Sequence, residues 1–254
     1  MSGANFKDHF SGVADAYAQA RPEYPDELFA AIAAVVAGTA RVWEPGCGSG
    51  QATRGLAARF AHVHATEPSA KQLAQHWAQP GTGKVSLAVE PGERTSLPDA
   101  SVELIAVAQA LHWFDRSKFF PECERVLAPG GVLAAWGYAD FVAPEGMVEA
   151  VEDFRSRIDP YWPPEREQID AHYAGYDWPF PALPAPALWL EAEWSLAHFL
   201  RYLSSMSAVA RCATDTGEDP VARFGPALAA SWGDPDETRT IRWPLFLHLR
   251  RRPA

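Results

Sequence analysis

The stretch RVWEPGCGSGQ, at residues 41–51, decides the fold of this chain. It has the pattern of a short apolar strand that ends at the acidic residue Glu44, a glycine-rich turn, and a helix that starts near Gln51. Glycine has no Cβ and tolerates a positive φ, so the backbone of such a turn can pass very close to a ligand. The helix after it directs unpaired N–H groups towards the turn. The stretch therefore predicts a ligand-binding strand–turn–helix unit, although a tight turn without a ligand has the same local pattern.

Two kinds of nucleotide-binding loop carry glycines at this point of a sheet. The dinucleotide fingerprint G-x-G-x-x-G accounts for Gly46 and Gly48, but its third glycine would fall on Gln51. The third glycine is instead Gly50, and Glu44 stands two residues before the first glycine. This spacing resembles the E/D-x-G-x-G-x-G loop of class I S-adenosylmethionine-dependent methyltransferases. A nicotinamide-dependent oxidoreductase is the less favoured alternative.

Strands alternate with helices along the first half of the chain, which predicts a parallel sheet with right-handed crossovers. The expected strands are 41–44, 63–67, 85–89, 102–108 and 132–136, and the expected helices are 28–36, 51–60, 69–77 and 116–127. Two later segments, 187–194 and 240–249, have the pattern of antiparallel strands, which is how the methyltransferase fold ends. The implied fold is α/β: a Rossmann-like, seven-stranded, mostly parallel sheet with an antiparallel C-terminal strand, helices on both faces and a helical insertion after strand five.

The resemblance implies a single class I methyltransferase domain over residues 1–254. Residues 1–36 would form an N-terminal helical cap, and residues 139–186 would form an insertion that supplies part of the acceptor pocket. The insertion is rich in proline, aromatic residues and acids. Its aromatic side chains are expected to form pocket walls: Tyr161, Trp162, Tyr173, Tyr176 and Trp178.

Composition and charge limit the kinds of partner and site that this chain is expected to have. The 254 residues are 48% hydrophobic and 21% charged, which supports the folded core of one large α/β domain. A net charge of -10 argues against a phosphate-tracking surface, so no nucleic-acid partner is expected. Three widely separated cysteines predict neither a disulfide framework nor a zinc site, and they favour a cytoplasmic location. No metal site is expected, and the most apolar windows are too short to span a bilayer, so no membrane partner is expected.

The resemblance gives the glycine loop a cofactor, S-adenosylmethionine. Glu44 would help to hold the amino group of its methionine part, because a carboxylate beside an ammonium group makes a charge-assisted pair. The backbone at Gly46, Cys47 and Gly48 would approach the cofactor closely. Without a ligand, Glu44 would be an ordinary strand-end acid that caps a turn.

Two further acids would bind the nucleoside. Glu67 ends strand two about twenty residues after the loop, where a carboxylate can meet two ribose hydroxyls, and Pro68 follows it. The segment GERTSLP, at 92–98, resembles the family's adenine-reading loop, with Glu93 in the position of the acid. Arg94 departs from the small residue usual there, so its contact would be stacking or a backbone N–H. The alternatives are a helix N-terminal anion for Glu67 and a plain surface loop for 92–98.

The segment AQALHWF, at 108–114, follows strand four and matches the part of the family that lies beneath the cofactor and opens to the acceptor. Ala108 and Gln109 would therefore contact the cofactor. His112 is a candidate general base, but packing against the next helix is the more favoured interpretation. Trp113 would wall the acceptor pocket or face the sulfonium by cation–π attraction.

The segment YAQARPEYP, at 17–25, resembles the trans-aconitate methyltransferase-like branch of the family. In that branch the N-terminal helix folds over the cofactor. Tyr17 and Arg21 are then candidates for closing the cofactor site, with Tyr17 also facing the acceptor and Arg21 near a carboxylate. The alternative for Tyr17 is helix packing.

The predicted reaction is transfer of a methyl group from S-adenosylmethionine to a small-molecule acceptor, with a carboxylate as one candidate. A carboxylate needs no general base, whereas a hydroxyl or an amine would give His112 that role. Arg201 and Arg211 could bind an acidic acceptor, although such arginines more often face solvent. The alternatives are a non-catalytic, S-adenosylmethionine-binding regulatory protein and the nicotinamide-dependent oxidoreductase. The sequence does not predict the oligomeric state.

Overall fold

One mixed sheet organises the computed structural model, which describes residues 21–37, 40–78 and 83–254. Its strands are β1 Arg41–Pro45, β2 His62–Thr66, β3 Val85–Ala88, β4 Val102–Ala108, β5 Leu127–Tyr138, β6 Ala182–Leu183, β7 Leu188–Ser195 and β8 Thr238–Arg251. The order across the sheet is β3-β2-β1-β4-β5-β8-β6, with β7 also paired to β8. Strands β1 to β5 are parallel, and β6, β7 and β8 pair antiparallel. The strand order reverses between β1 and β4, and open α/β sheets bind ligands at the carboxyl ends of strands at such a point.

Helices cover both faces of the sheet. They are α1 Asp26–Val35, α2 Gln51–Arg59, α3 Ala70–Leu73, α4 Arg116–Val126, α5 Val148–Ile158, α6 Arg166–Asp170, α7 Leu196–Ser204, α8 Ser207–Thr216 and α9 Pro220–Trp232, with single 3-10 turns at Leu111–Trp113 and Asp159–Tyr161. Leu28 of α1 and Leu56 of α2 belong to the larger buried cluster, and Phe119 of α4 belongs to a second cluster on the other face. None of the helices in the described ranges is long and apolar enough to cross a bilayer.

The predicted Rossmann-like fold is confirmed, with one difference at the edge of the sheet. The seventh position is divided into two segments, β6 and β7, which pair with different parts of the long strand β8. Between them the chain reads Pro184-Ala185-Pro186. Proline has no N–H to donate and is confined to edges and breaks of a sheet, so two prolines two residues apart interrupt this edge strand.

Two predicted boundaries are wrong. The helix capped by Ser69 ends at Leu73 rather than near Trp77, because the chain then turns back towards the glycine loop. There the Trp77 indole N–H donates to the carbonyl oxygen of Gly50 over 2.9 Å. Strand β5 also begins five residues early, at Leu127. The segment PGG at 129–131 lies in an irregularity of β5 against β4.

The helices of the second half of the chain lie in two segments. Residues 139–186 contain α5, α6, one 3-10 turn and β6. A second helical segment, α7 to α9, lies between β7 and β8, and the sequence pattern predicts only the first of its helices, after Ser195. The two segments pack on each other: the rings of Phe154 and Phe224 lie 6.3 Å apart, and those of Phe199 and Trp232 lie 5.5 Å apart.

Candidate functional site

The glycine loop joins β1 to α2 and has three residues with positive φ, namely Gly46 at 69°, Gly48 at 55° and Gly50 at 87°. A Cβ at Gly46 would lie 2.9 Å from the Cβ of Ala110, so the loop packs tightly against the end of β4. A Cβ at Gly48 would meet nothing nearer than the Gln72 side chain at 3.8 Å. Among the described residues, a Cβ at Gly48 would therefore make only ordinary van der Waals contact, so the loop is less tightly packed here than at Gly46.

Glu67 connects the glycine loop to the start of α3. Its Oε2 atom accepts a hydrogen bond from the Gly48 N–H over 3.1 Å, and its Oε1 atom accepts one from the Ser69 N–H over 3.1 Å. The residue is only 5% exposed. A carboxylate bound by two backbone N–H groups is a strong, charge-assisted tie between the two segments. Ribose binding by Glu67 stays a prediction. Pro68 stands between Glu67 and Ser69 in the sequence.

Glu44 is buried at the end of β1. Its Oε2 atom accepts a hydrogen bond from the Thr53 hydroxyl over 2.6 Å. Its Oε1 atom has no hydrogen-bond partner among the described residues. Burial raises the pKa of Glu44 to about 8, and the hydrogen bond from Thr53 opposes that rise. A buried carboxylate oxygen without a partner costs free energy, so it marks a place for a donor.

The Cys47 side chain contributes packing at this point. The backbone N–H of Cys47 donates to the carbonyl oxygen of Thr66 over 3.0 Å, which ties the loop to β2. Burial, with Glu44 and Glu67 nearby, raises the pKa of the Cys47 thiol well above its usual range. The side chain is therefore a neutral thiol and not a reactive thiolate.

The loop after β3 packs against α4 at two residues. The Glu93 Oε1 atom accepts a hydrogen bond from the backbone N–H of Asp115 over 2.8 Å. A Cβ at Gly92 would lie 2.8 Å from the ring of Phe114. Arg94 is exposed. Glu93 thus positions this loop against the start of α4, and adenine recognition by Glu93 and Arg94 stays a prediction.

Gln109 braces the end of β4 against β5. Its backbone has a φ of 51°, and its amide exchanges two hydrogen bonds with the backbone of Tyr138, over 2.9 Å and 2.8 Å. A Cβ at Gly137 would lie 2.5 Å from the Gln109 Oε1 atom, so glycine makes room for this amide. A positive φ outside glycine costs free energy and persists where the surroundings fix it. The preceding residue, Ala108, pairs with Trp136 in β5.

A cavity of about 100 Å³ opens beside Gln109. Two arginines, one acid and one histidine contribute to its wall: Arg21, Arg166, Asp140 and His112. The remaining lining residues are mostly aromatic or apolar: Trp113, Tyr138, Ala139, Trp162, Pro163, Ile169, Tyr202, Met206 and Ser207. Ser207 is the first residue of α8. The cavity therefore combines apolar walls with cationic groups at the carboxyl ends of β4 and β5.

The comparisons with known proteins agree with this geometry. A family model described as a methyltransferase domain matches residues 43–135. A solved structure described as a type II methyltransferase from Anaeromyxobacter dehalogenans is 39% identical, covers 92% of this chain and 99% of its own, and superposes with a TM-score of 0.86. The chain belongs to the class I S-adenosylmethionine-dependent methyltransferases.

Other proteins named as methyltransferases are also similar to this chain. A protein of Dictyostelium discoideum, named as a methyltransferase, is 29% identical over 97% of this chain and 96% of its own length. An uncharacterized methyltransferase of Mycobacterium tuberculosis is 37% identical, over 52% of this chain and 53% of its own length. These relatives decide between the two glycine-loop interpretations in favour of the methyltransferase over the nicotinamide-dependent oxidoreductase.

The residues at the loop fit the cofactor that this methyltransferase family uses. The unpartnered Oε1 atom of Glu44 suits an ammonium group, which can donate to it. The loose packing at Gly48, where a Cβ would lie 3.8 Å from the Gln72 side chain, suits a close approach of the ligand to the backbone. Glu67 lies beside the same loop through its bond to Gly48. These groups would hold S-adenosylmethionine.

The predicted acceptor residues divide into two groups. Trp113 and Trp162 line the cavity. Arg21, predicted to close the cofactor site, lines it as well, and its guanidinium carbon lies 5.2 Å from the centre of the Tyr202 ring. The other predicted aromatic residues do not line it: Tyr161 bonds to Asp215, Tyr173 lies behind His112, Tyr176 lies under Arg116, and Trp178 stacks on His248. Arg201 and Arg211 are also absent from its lining. Tyr17 lies outside the described residues.

Several residues of the site give no signal in the sequence. Thr53 and His76 lie behind the loop, and Tyr138, Asp140 and Tyr202 line the cavity. Tyr202 lies in α7. Its hydroxyl accepts a hydrogen bond from the Trp243 indole over 2.9 Å, which fixes the ring at the cavity wall. A local motif does not indicate contacts such as those of Thr53 with His76 and of Tyr202 with Trp243, which cross 23 and 41 positions of sequence.

His112 has the chemistry of a neutral hydrogen-bonding group. Its Nδ1 atom lies 3.3 Å from the hydroxyl of Tyr173, and burial lowers its pKa to about 3. Arg166 adds a smaller electrostatic effect in the same direction. A base with so low a pKa accepts a proton poorly near neutral pH. The burial supports the packing interpretation of His112, and general-base catalysis by this residue remains an untested prediction.

The lowered pKa of His112 predicts a pH dependence of stability. The unfolded chain protonates this imidazole below about pH 6.5, whereas the folded protein does so only near pH 3. Stability should therefore fall as the pH drops from 6.5 towards 3, by about 2 kcal/mol between pH 7.5 and pH 5 from this group alone. Urea unfolding at both pH values would measure it, and His112→Gln should remove this part of the loss. Equal losses in the two proteins would contradict the assignment.

Proposed function

We propose that this methyltransferase transfers the methyl group of S-adenosylmethionine to a carboxylate of a small-molecule acceptor. The observation that carries the proposal is the cavity at the ends of β4 and β5, which has two guanidinium groups among apolar walls. An open acceptor cavity is also the feature that a non-catalytic, cofactor-binding regulator would not need. The proposal therefore favours an active enzyme over that alternative.

The charges of the cavity favour an anion. Arg21 and Arg166 both line it, and a guanidinium can bind a carboxylate through two parallel hydrogen bonds. Arg166 is positioned by its Nε bond to Asp170 at 2.7 Å and by the Trp162 ring, 4.3 Å from its guanidinium carbon. The first residue of α8, Ser207, adds the N-terminus of a ten-residue helix, where anions bind favourably.

Asp140 only partly offsets these positive charges. Its Oδ2 atom lies 3.2 Å from the Nε of Arg155, so a neighbouring cation neutralises it. Burial raises the pKa of Asp140 above its usual range, while the charges of Arg155 and Arg166 oppose that rise. The charged lining residues in the described part of the chain are two arginines and one acid, a formal balance that suits an ionised acceptor.

An ionised carboxylate also removes the need for a base. His112 is neutral and weakly basic, and a carboxylate is already the nucleophilic form. When bound, S-adenosylmethionine supplies the methyl group as an electrophile. The residues of this chain would then bind both reactants, align them through the arginines and the glycine loop, and exclude water with Trp113, Trp162 and Tyr202. Such alignment can supply a large part of a rate acceleration.

The predicted single domain, with its N-terminal cap and its insertion, is part of this proposal. Residues 1–36 would cap the site, which is supported by Arg21 in the cavity wall. The insertion at 139–186 would complete the acceptor pocket, which is supported by Trp162, Pro163 and Arg166. A cytoplasmic location stays a prediction that agrees with three buried, unpaired cysteines.

Arg166→Met is the variant that tests the acceptor assignment. We expect the wild-type protein to convert S-adenosylmethionine to S-adenosylhomocysteine when small carboxylic acids are supplied as acceptors. Loss of a charged hydrogen bond costs about 1.5–3 kcal/mol, so kcat/KM for the acid should fall about 10-fold to 100-fold. Affinity for S-adenosylhomocysteine, measured by calorimetry, should stay unchanged.

Arg201→Met is the matched control, because Arg201 is exposed and does not line the cavity. It should leave kcat/KM for the acid unchanged. Activity on amines or alcohols but not on acids would contradict the carboxylate proposal. Failure to bind S-adenosylhomocysteine would contradict the cofactor assignment itself.

A further inference from the structure

Behind the glycine loop, three buried side chains form a continuous chain of hydrogen bonds. The Thr53 hydroxyl donates to the Oε2 atom of Glu44 over 2.6 Å, and the Nε2 atom of His76 lies 3.0 Å from the same hydroxyl oxygen. The backbone N–H of Ala78 donates to the Nδ1 atom of His76 over 3.1 Å. All three side chains are at most 2% exposed. The chain thus connects the segment after α3 to the acid that ends β1.

The partners fix the direction of every bond. Because the His76 Nδ1 atom accepts from a backbone N–H, the proton of the neutral ring is on Nε2. Burial lowers the pKa of His76, which favours that neutral ring. The Nε2–H then donates to the Thr53 oxygen, whose single hydroxyl proton goes to Glu44. The Oε2 atom of Glu44 must therefore accept, and any proton that Glu44 carries is on Oε1.

The groups around Glu44 do not disturb this arrangement. Cys47 and Glu67 are the titratable side chains near it on the loop and at the end of β2, and neither carries a positive charge. The residues alongside in β4, LIAVA at 104–108, carry no titratable group, and the neighbour in β2 is Ala65. The cations of α2, Arg54 and Arg59, form ion pairs at the surface. In α3, Lys71 is exposed. The donors that Glu44 meets in the described protein are thus neutral.

We infer that His76 and Thr53 are positioning residues for the ammonium group of the cofactor: they hold Glu44 with Oε2 occupied and with Oε1, the atom that lacks a partner among the described residues, directed to the ligand. The inference rests on the proposed function, since it assumes that S-adenosylmethionine binds at this loop. It assigns a role to two residues that do not themselves contact the ligand.

A pH signature separates this role from simple packing. Burial raises the pKa of Glu44 to about 8, so below that pH the carboxyl must lose a proton before it can pair with an ammonium group. Affinity for a ligand with that group should therefore decline as the pH falls below 8. Removing the Thr53 donor removes the effect that lowers this pKa, so the decline should begin at a higher pH. One pKa unit corresponds to about tenfold in affinity at lower pH.

The experiment is calorimetric titration of the full chain between pH 6 and pH 9 with two ligands. S-Adenosylhomocysteine has the ammonium group, and 5′-methylthioadenosine keeps the nucleoside and sulfur but lacks the amino-acid part. Thr53→Val should lower affinity for S-adenosylhomocysteine at pH 7 by about tenfold or more and shift its decline upward in pH. Affinity for 5′-methylthioadenosine should change by less than about twofold. The ionisation of each ligand is the same in every protein, so differences between variants report the protein.

Three further variants complete the test. Thr53→Ser keeps the hydroxyl and should behave as wild type. His76→Leu should act in the same direction as Thr53→Val, and His76→Gln, which keeps an N–H donor, should restore part of the effect. Thr66→Val removes another fully buried hydroxyl, one that accepts from the Trp43 indole over 3.1 Å, and should leave the pH profile of affinity unchanged.

Each outcome is decisive. Equal losses for both ligands, or a Thr53→Val profile with no shift in pH, would show a merely structural role and overturn the inference while the proposed function stands. If the wild-type protein binds 5′-methylthioadenosine but not S-adenosylhomocysteine, Glu44 has no ammonium to hold, and both fail. If it binds neither ligand, the cofactor assignment fails and the inference fails with it.

Discussion

Gly50→Ala should abolish cofactor binding, lowering the affinity for S-adenosylhomocysteine at least about 100-fold. A Cβ at this position would lie 2.2 Å from the Nε2 atom of His76, with two more atoms of the same ring at 2.6 Å. The residue also has a φ of 87°, where a side chain adds strain of about 1–2 kcal/mol. The imidazole cannot move freely, since Thr53 and Ala78 bind both of its nitrogens. The glycine loop must therefore shift, and calorimetry would measure the loss of binding.

Gly83→Ala is the matched control for backbone strain. Gly83 has a φ of 65°, but a Cβ there would meet nothing within 4 Å. It should destabilise the protein slightly and leave ligand affinity unchanged. The double variant Gly50→Ala with His76→Ala should recover part of the binding, because the ring that the new methyl group meets is gone. Wild-type affinity in Gly50→Ala would contradict the described packing of the loop.

The sheet could be predicted from the sequence because its signals are local. An apolar run such as VELIAVA in β4 is typical of a buried parallel strand, and G-x-G-x-G after β1 indicates a close turn whatever surrounds it. The caps Ser69 and Ser195 are also local, since each side chain accepts from a backbone N–H three residues later. Fold class and loop position therefore follow from short stretches of chain.

The buried network behind the loop could not be predicted in this way. A continued helix after Ser69 would carry His76 along the helix surface, and nothing local shows that α3 stops at Leu73. The stop brings His76 to Thr53 across 23 residues of sequence. The same limit applies to Gln109, whose polar side chain in the sequence suggests a ligand contact. Its amide is engaged by the backbone of Tyr138 across 29 positions of sequence, and its contact with the cofactor stays a prediction.

The electrostatic environment of a titratable side chain is a further property that could not be predicted from the sequence. His112 in the segment ALHWF is a reasonable candidate base by residue type alone. Its low pKa results from burial beside Tyr173, which belongs to the insertion 61 residues later. Glu44 behaves in the opposite sense, since burial raises its pKa to about 8. Two titratable residues near one site thus depart from their usual values because of packing that is set by distant parts of the chain.

Glu67→Ala should weaken S-adenosylhomocysteine binding at least about 30-fold and should also destabilise the protein. The substitution leaves the N–H groups of Gly48 and Ser69 without their carboxylate acceptor, and each unsatisfied buried donor costs about 1–3 kcal/mol. Both segments that shape the cofactor site lose their tie. If Glu67 also binds the ribose, the affinity for adenosine should fall much more than the affinity for 2′,3′-dideoxyadenosine, which lacks both hydroxyls. Calorimetry with the two nucleosides measures that difference.

Glu122→Ala separates the loss of a structural carboxylate from the loss of a ligand contact. The Glu122 carboxylate likewise accepts a backbone N–H, that of Thr95 over 2.8 Å, and it forms an ion pair with Arg125. Its removal should lower the free energy of unfolding, yet keep the ratio of adenosine to dideoxyadenosine affinity at the wild-type value. A Glu67→Ala protein with that same unchanged ratio would show that Glu67 only braces the loop. A Glu67→Ala protein that loses the preference for adenosine would establish the carboxylate as the ribose-binding group.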